Sequence, residues 1–146
     1  MKRVFGIHWC LVALAMTLFV SMPDTARADL MSACQANIAK WCSGVPDGRG
    51  RISACLMSYS SKLDAACRSE VDAVAKKSQN NILLPKSVRS LMGAGSAPAV
   101  PAECAADQGK FCSGVDAGGR NALACLYAYS GSVSAPCADG IKAALK

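Results

Sequence analysis

Cys34, Cys42, Cys55 and Cys67 recur 70 residues later as Cys104, Cys112, Cys125 and Cys137, both sets spaced Cys-x7-Cys-x12-Cys-x11-Cys. Residues between the cysteines follow the same offset: Lys40 and Lys110, Trp41 and Phe111, Ser43-Gly44-Val45 and Ser113-Gly114-Val115, Ala54-Cys55-Leu56 and Ala124-Cys125-Leu126, Tyr59-Ser60 and Tyr129-Ser130. Agreement of cysteines, glycines and aromatics at one period marks an internal duplication. The chain is therefore read as two copies of a small module. At about 40 residues, a module seldom buries enough apolar surface to outweigh chain entropy unless disulfides or a metal staple it.

The N-terminus bears on which staple is used. Met1-Lys2-Arg3 is positive, Trp9 to Val20 is apolar, and Ala26-Arg27-Ala28 has the small-x-small pattern of a signal-peptidase site. Residues 1–28 are thus expected to be a signal peptide and the mature chain to begin at Asp29. The apolar run meets Ser21, Pro23 and Asp24 before reaching the ~20 residues of a membrane-spanning helix, so no stable span is expected after its removal. Cys10 leaves with the leader, turning nine cysteines into eight, and an even number in an exported chain implies pairing. A periplasmic or secreted location follows. The leader also takes the single histidine, His8, and three of 16 basic and one of 10 acidic residues, which leaves a net charge of +4. Such a mildly basic chain has no nucleic-acid footprint.

The fold class expected is all-α, with about three helices per module. Asp29 to Lys40 lacks an interior Gly or Pro, and Ser43 to Gly48 carries the turn residues that end a helix. A second helix is expected from about Arg51 to Ser60, and a third from Ala65 to about Lys77, with Leu63-Asp64 as a hydrophobic residue before an N-cap. In the second module Pro101 starts helix one, Asn121 to Ser130 forms helix two, and Ser134 with Pro136 opens helix three. Tyr59 and Tyr129 are placed at the core edge with their hydroxyls at solvent. Four cysteines allow three connectivities. Helix one antiparallel to helix two sets Cys42 beside Cys55, and a third helix parallel to the first sets Cys67 beside Cys34. This favours Cys34–Cys67 with Cys42–Cys55, and Cys104–Cys137 with Cys112–Cys125. Because every such bridge closes within its own module, each repeat is expected to fold alone.

The domain boundaries expected are a leader at 1–28, repeat one at 29–77, a linker at 78–101 and repeat two at 102–146. In the linker, Lys86 to Met92 is long enough for two helical turns, and Gly93 to Pro98 reads as a tether. Ile82, Leu83, Leu84, Val88 and Leu91 are expected to pack against the first module or between the two.

Several of these residues together resemble a known family. Lys-Trp/Phe-Cys at 40–42 and 110–112, the turn Gly48-Arg49-Gly50-Arg51-Ile52, the two Ala-Cys-Leu triplets and Leu63-Asp64-Ala65-Ala66-Cys67 are similar to the cysteine-rich repeat of the Golgi apparatus protein 1 family, also called the cysteine-rich fibroblast growth factor receptor. Animal members carry the repeat in long tandem arrays. The resemblance implies a two-repeat, exported, bacterial member covering about 29–77 and 102–146, and it implies no enzymatic activity. The second copy departs at Gly118-Gly119-Arg120-Asn121, where Asn121 stands opposite Arg51.

Composition excludes several chemistries. There is no Cys-x2-Cys pair and no mature histidine, which argues against zinc and against a thiol oxidoreductase. A His-assisted nucleophile, paired carboxylates and a Gly-rich phosphate loop before a strand are all missing. No catalytic residue, no metal and no cofactor is expected. The remaining lead is positive charge, and Arg49, Arg51, Lys76 and Lys77 are the candidate contacts for an anionic partner, an acidic envelope component or an acidic protein. The reading is a non-catalytic exported binding or structural protein whose ligand is unknown. Its alternative is a small envelope-maintenance or stress factor that assists a partner enzyme.

Overall fold

The computed structural model describes residues 25–79, 86–92 and 98–146. Most of the expected leader, the Ile82 to Leu84 strip and the Gly93 to Ala97 part of the tether lie outside the described residues, as does the side chain of Val88. The described residues are helical, with no strand among them: α1 (Thr25–Ala33), α2 (Gln35–Trp41), α3 (Arg51–Ser58), α4 (Ala65–Gln79), α5 (Lys86–Met92), α6 (Ala105–Phe111), α7 (Gly119–Ala128) and α8 (Ala135–Ala144). One-turn 3-10 helices at Ser60–Lys62 and Ala102–Cys104 precede α4 and α6.

The first helix expected in each module is divided at its first cysteine. Cys34 (φ −102°, ψ 5°) separates α1 from α2, and Cys104 (φ −89°, ψ −1°) separates the 3-10 turn from α6. The second helix stops at Ser58 and at Ala128, two residues earlier than expected in both halves, because Tyr59 and Tyr129 leave the helical path. The third begins where the sequence places it. Asp64 accepts a hydrogen bond from the Cys67 N–H at 2.9 Å, a side-chain N-cap, and Leu63 before it is buried.

Four disulfides join the helices, two within each half. Cys34–Cys67 and Cys104–Cys137 each hold their Cα atoms 4.6 Å apart, and Cys42–Cys55 and Cys112–Cys125 hold theirs 5.9 Å apart. Leu30, Ile52, Leu56, Leu63 and Val71 pack around the first pair of bridges. Leu91, Leu123, Leu126, Ile141 and Leu145 pack around the second. Trp41 stacks on Tyr59 with centroids 5.4 Å apart, and Phe111 on Tyr129 at 5.2 Å, so the aromatic lid of each core is duplicated too.

The halves are not separate beads. Helix α3 packs along its own counterpart α7. Both carry small residues one turn apart on the facing side, Ala54 and Ser58 on α3 and Ala124 and Ala128 on α7, all fully buried. Short side chains let two helix backbones approach closely, and the cores interlock there. Ala54 lies in the second core and Ala128 in the first. Helix α5 leans on α3, α4 and α7, sends Leu91 into the second core, and is tied to α4 by a hydrogen bond from Gln79 Nε2 to the Met92 carbonyl at 3.1 Å. Of the expected linker, the Lys86–Met92 portion is therefore part of the packed structure.

Polar contacts close the seam. Tyr129 donates its hydroxyl to the Ser43 carbonyl at 2.9 Å, so this hydroxyl faces the other half and not solvent as expected. The Asp116 N–H donates to the Ser58 carbonyl at 2.9 Å, and its carboxylate accepts from Ser60 Oγ at 3.1 Å, from the Ser61 N–H at 2.7 Å and from Ser61 Oγ. Lys62 Nζ donates to the Gly114 carbonyl.

Candidate functional site

The turn between α2 and α3 has an unusual backbone. Gly48 (φ 94°), Arg49 (φ 53°) and Gly50 (φ 72°) are three consecutive residues with positive φ, and Arg49 is the one non-glycine residue in that region among the described residues. A left-handed conformation costs an ordinary L-residue about 1–2 kcal/mol, so something must hold it. Tyr127, from α7 of the other half, donates its hydroxyl to the Arg49 carbonyl at 2.7 Å. Arg51 reaches back from the first turn of α3 and donates from Nη2 to the Asp47 carbonyl at 2.7 Å, while its Nε is buried without a hydrogen-bond partner.

This turn forms one wall of an open groove of about 740 Å³ at the junction of the halves. Arg49 and Arg51 face it from the first half, Lys86 from the start of α5, and Lys142 and Lys146 from α8 and the residue after Leu145. Tyr127, Ala138, Ile141 and Leu145 supply an apolar floor, and no acidic side chain is among the lining residues. Asp139 stands beside the rim, paired with Lys142 at 2.8 Å, and this ammonium neighbour holds its carboxyl below the ordinary carboxylate value.

The structure thus unites two of the four predicted contacts and separates the others. Arg49 and Arg51 share the groove; Lys76 and Lys77 lie exposed in the last turn of α4 and do not line it. Their place is taken by Lys86, one of the basic residues that the sequence concentrates in repeat one and the linker, and by Lys142 and Lys146, which sequence reasoning missed. Lys146 is the 70-residue counterpart of Lys76, so the repeat offset held a partial signal. What the offset could not show is that packing α3 on α7 brings the end of repeat two beside the first turn of repeat one.

A second cavity of about 600 Å³ lies within the second half, beside Gln108, Val115 and Asp116. Its one charged group is already committed to the seam. Burial opposes ionisation of Asp116, but the Ser61 and Ser60 hydrogen bonds and the Lys62 charge outweigh it and hold the carboxyl below its ordinary value. All eight cysteines of the repeats are bonded, so they offer neither a thiolate nucleophile nor a metal ligand. Among the described residues no cluster of His, Cys, Asp and Glu is placed to hold a metal ion, and no helix is long and apolar enough to cross a membrane.

Comparison with known proteins gives one family. Residues 16–64 match the family model described as the cysteine rich repeat, of the cysteine-rich FGFR type. The match spans about a third of the chain and contains Cys34, Cys42 and Cys55. Neither a curated protein nor a solved structure matches the chain. The second half, outside the matched segment, has the same bridges and the same aromatic stack as the first, and the matched segment is similar to the cysteine-rich repeat family.

Proposed function

We propose that the protein is a non-catalytic, exported binding protein made of two cysteine-rich repeats, and that it recognises an anionic component of the cell envelope. In this reading residues 1–28 are removed as a signal peptide and 29–146 act in the periplasm or outside the cell, where four disulfides persist. The observation that carries it is the convergence of Arg49, Arg51, Lys86, Lys142 and Lys146, from three stretches of chain, on one groove. Cations around a concave site sum their fields and raise the local concentration of anions. Guanidinium groups add directed donors suited to phosphate and carboxylate oxygens. Similarity of residues 16–64 to a repeat family that is not typically catalytic agrees with a binding role.

The test is binding of lipopolysaccharide and of an acidic polysaccharide at low and high salt, with the unaltered chain and a variant in which Arg49, Lys86, Lys142 and Lys146 are replaced by Ala. Affinity is expected to fall with salt, because exposed charges are screened over a Debye length of about 8 Å at physiological ionic strength, and to fall in the variant. Binding indifferent to both, or no binding, would overturn the proposal. Isolated repeats are expected to bind weakly, since each carries only part of the groove.

A further inference from the structure

The duplication fails at the groove, and that failure is informative. Cysteine bridges and aromatic stacks keep their 70-residue counterparts, and so do Ala54 and Ala124 at the seam. At the groove, Arg49 corresponds to Gly119, Arg51 to Asn121 and Lys142 to Asp72. The pseudo-symmetric position, with its turn from repeat two and its third helix from repeat one, therefore lacks three of these cations and has an acid in place of one, while Lys76 matches Lys146 and Arg68 stands where the groove has Ala138. A scaffold that repeats its bridges and aromatic stacks thus gathers more positive charge at one of two equivalent positions.

We infer that the groove binds a small amphiphilic anion, a phosphate or carboxylate headgroup on an alkyl chain; the inference rests on the anion-binding reading above and names its ligand class. The headgroup end is set by charge. Tyr127 holds the Arg49 backbone in its left-handed turn, and the Asp47 carbonyl holds the Arg51 guanidinium, so the turn that carries both arginines is set and one guanidinium is fixed before any ligand arrives. Backbone conformations of this cost persist where surrounding structure over-determines them, and they concentrate at ligand sites. Lys86, Lys142 and Lys146 are exposed and flexible by type, fit to close around an anion from the rim. The alkyl end is set by the floor. Tyr127 and Ala138, with the edges of the buried Ile141 and Leu145 beneath them, offer an apolar surface that a hydrophilic polyanion has no use for, whereas a chain with a charged head satisfies both parts of the groove.

The experiment measures binding of alkyl phosphates to the oxidised, exported full chain by calorimetry, below their micelle concentrations. Dodecyl phosphate is expected to bind one to one, and affinity is expected to rise by up to about fourfold for each methylene buried on going from butyl through octyl to dodecyl phosphate. Inorganic phosphate and dodecyl maltoside, each with half of the required chemistry, are expected to bind roughly tenfold or more weakly. Lys142→Glu with Lys146→Glu, two exposed positions, is expected to lower affinity for dodecyl phosphate by a similar factor while leaving helicity and the four disulfides unchanged. Affinity that ignores chain length overturns the inference, and that series on the unaltered chain decides it even if the double variant fails to fold. Binding of acidic polysaccharide without any alkyl dependence would overturn the inference alone and leave the anion-binding reading standing; loss of both would overturn both. A concentration-dependent dimer abolished by the double variant would give the groove to a second copy and likewise overturn it.

Discussion

Asn37 donates from its side-chain amide to the Asp64 carboxylate, and 70 residues on, Asp107 accepts at 2.7 Å from the Ser134 hydroxyl. The two repeats make the same link between helix one and the start of helix three with donor and acceptor exchanged. The Cys67 N–H, the Asn37 amide and the Ala66 N–H together draw the Asp64 carboxyl below its ordinary value, although burial works the other way. Asn37→Asp is expected to oppose two carboxylates and lower the melting temperature by several degrees. The double variant Asn37→Asp with Asp64→Ser, which copies repeat two, is expected to recover most of that loss. A thermal double-mutant cycle checks this, and additive losses would show that the link does not transfer.

Ala54 faces the opposite half across the seam with no exposed surface. Ala54→Leu is expected to cost about 1–3 kcal/mol, because added methylenes there must push α3 away from α7. Chemical denaturation measures the loss, and protease sensitivity between 93 and 101 should rise with it. Fragments 29–80 and 101–146, oxidised separately and then mixed, are expected to associate one to one by gel filtration, each covering the small-residue stripe of the other.

Tyr129→Phe removes the hydroxyl bonded to Ser43 and is expected to cost about 0.5–1.5 kcal/mol by chemical denaturation. Burial raises the Tyr129 phenol above 10.0, and burial with the neighbouring Tyr129 raises that of Tyr59. For an acid whose folded value is raised, the stabilisation is complete below the unfolded value near 10 and is lost as pH climbs through the folded one. Ultraviolet titration of tyrosinate should show late ionisation for both, and Tyr59→Phe and Tyr129→Phe should each remove one late component.

Asp116 has the opposite sign. Its folded value is lowered, so its contribution is present above the unfolded value of about 3.9 and disappears as pH falls through the folded one. Asp116→Asn is expected to be less stable than the unaltered chain at pH 7 and to converge with it in strong acid. Urea midpoints of both proteins across that range check the sign.

The exported protein is expected to contain no free thiol and to weigh eight hydrogens less than its fully reduced form if residues 1–28 are gone and all four bridges have formed. Reduction is expected to abolish the helical circular dichroism, since by the chain-entropy argument each bridge contributes about 3–4 kcal/mol to a module this small.

Periodicity exposed most of the fold because disulfide frames impose strict spacing. Cys34 to Cys67 and their counterparts gave the modules, and Leu63-Asp64 gave the start of α4 through ordinary capping chemistry. Ala54, Ser58, Ala124 and Ala128 were hidden because small residues in a helix are equally at home facing solvent or a neighbour. Their stripe becomes a seam only through its partner. Without the seam, the local pattern puts the Tyr129 hydroxyl at solvent and does not connect Lys142 and Lys146 to Arg49 and Arg51. The groove is a product of docking, and docking leaves little trace in the local pattern of a single chain.

The same seam bears on how many repeats can assemble in this way. Equivalent helices meet, α3 of one copy against α7 of the other, in the manner of a two-fold contact. Such a contact is isologous: each copy spends the same face, and once two have met neither has that face left. Solenoid repeats instead join head to tail and can be lengthened at will. A pair built like this one is terminal, and a longer array would have to be an array of such pairs, growing two repeats at a time.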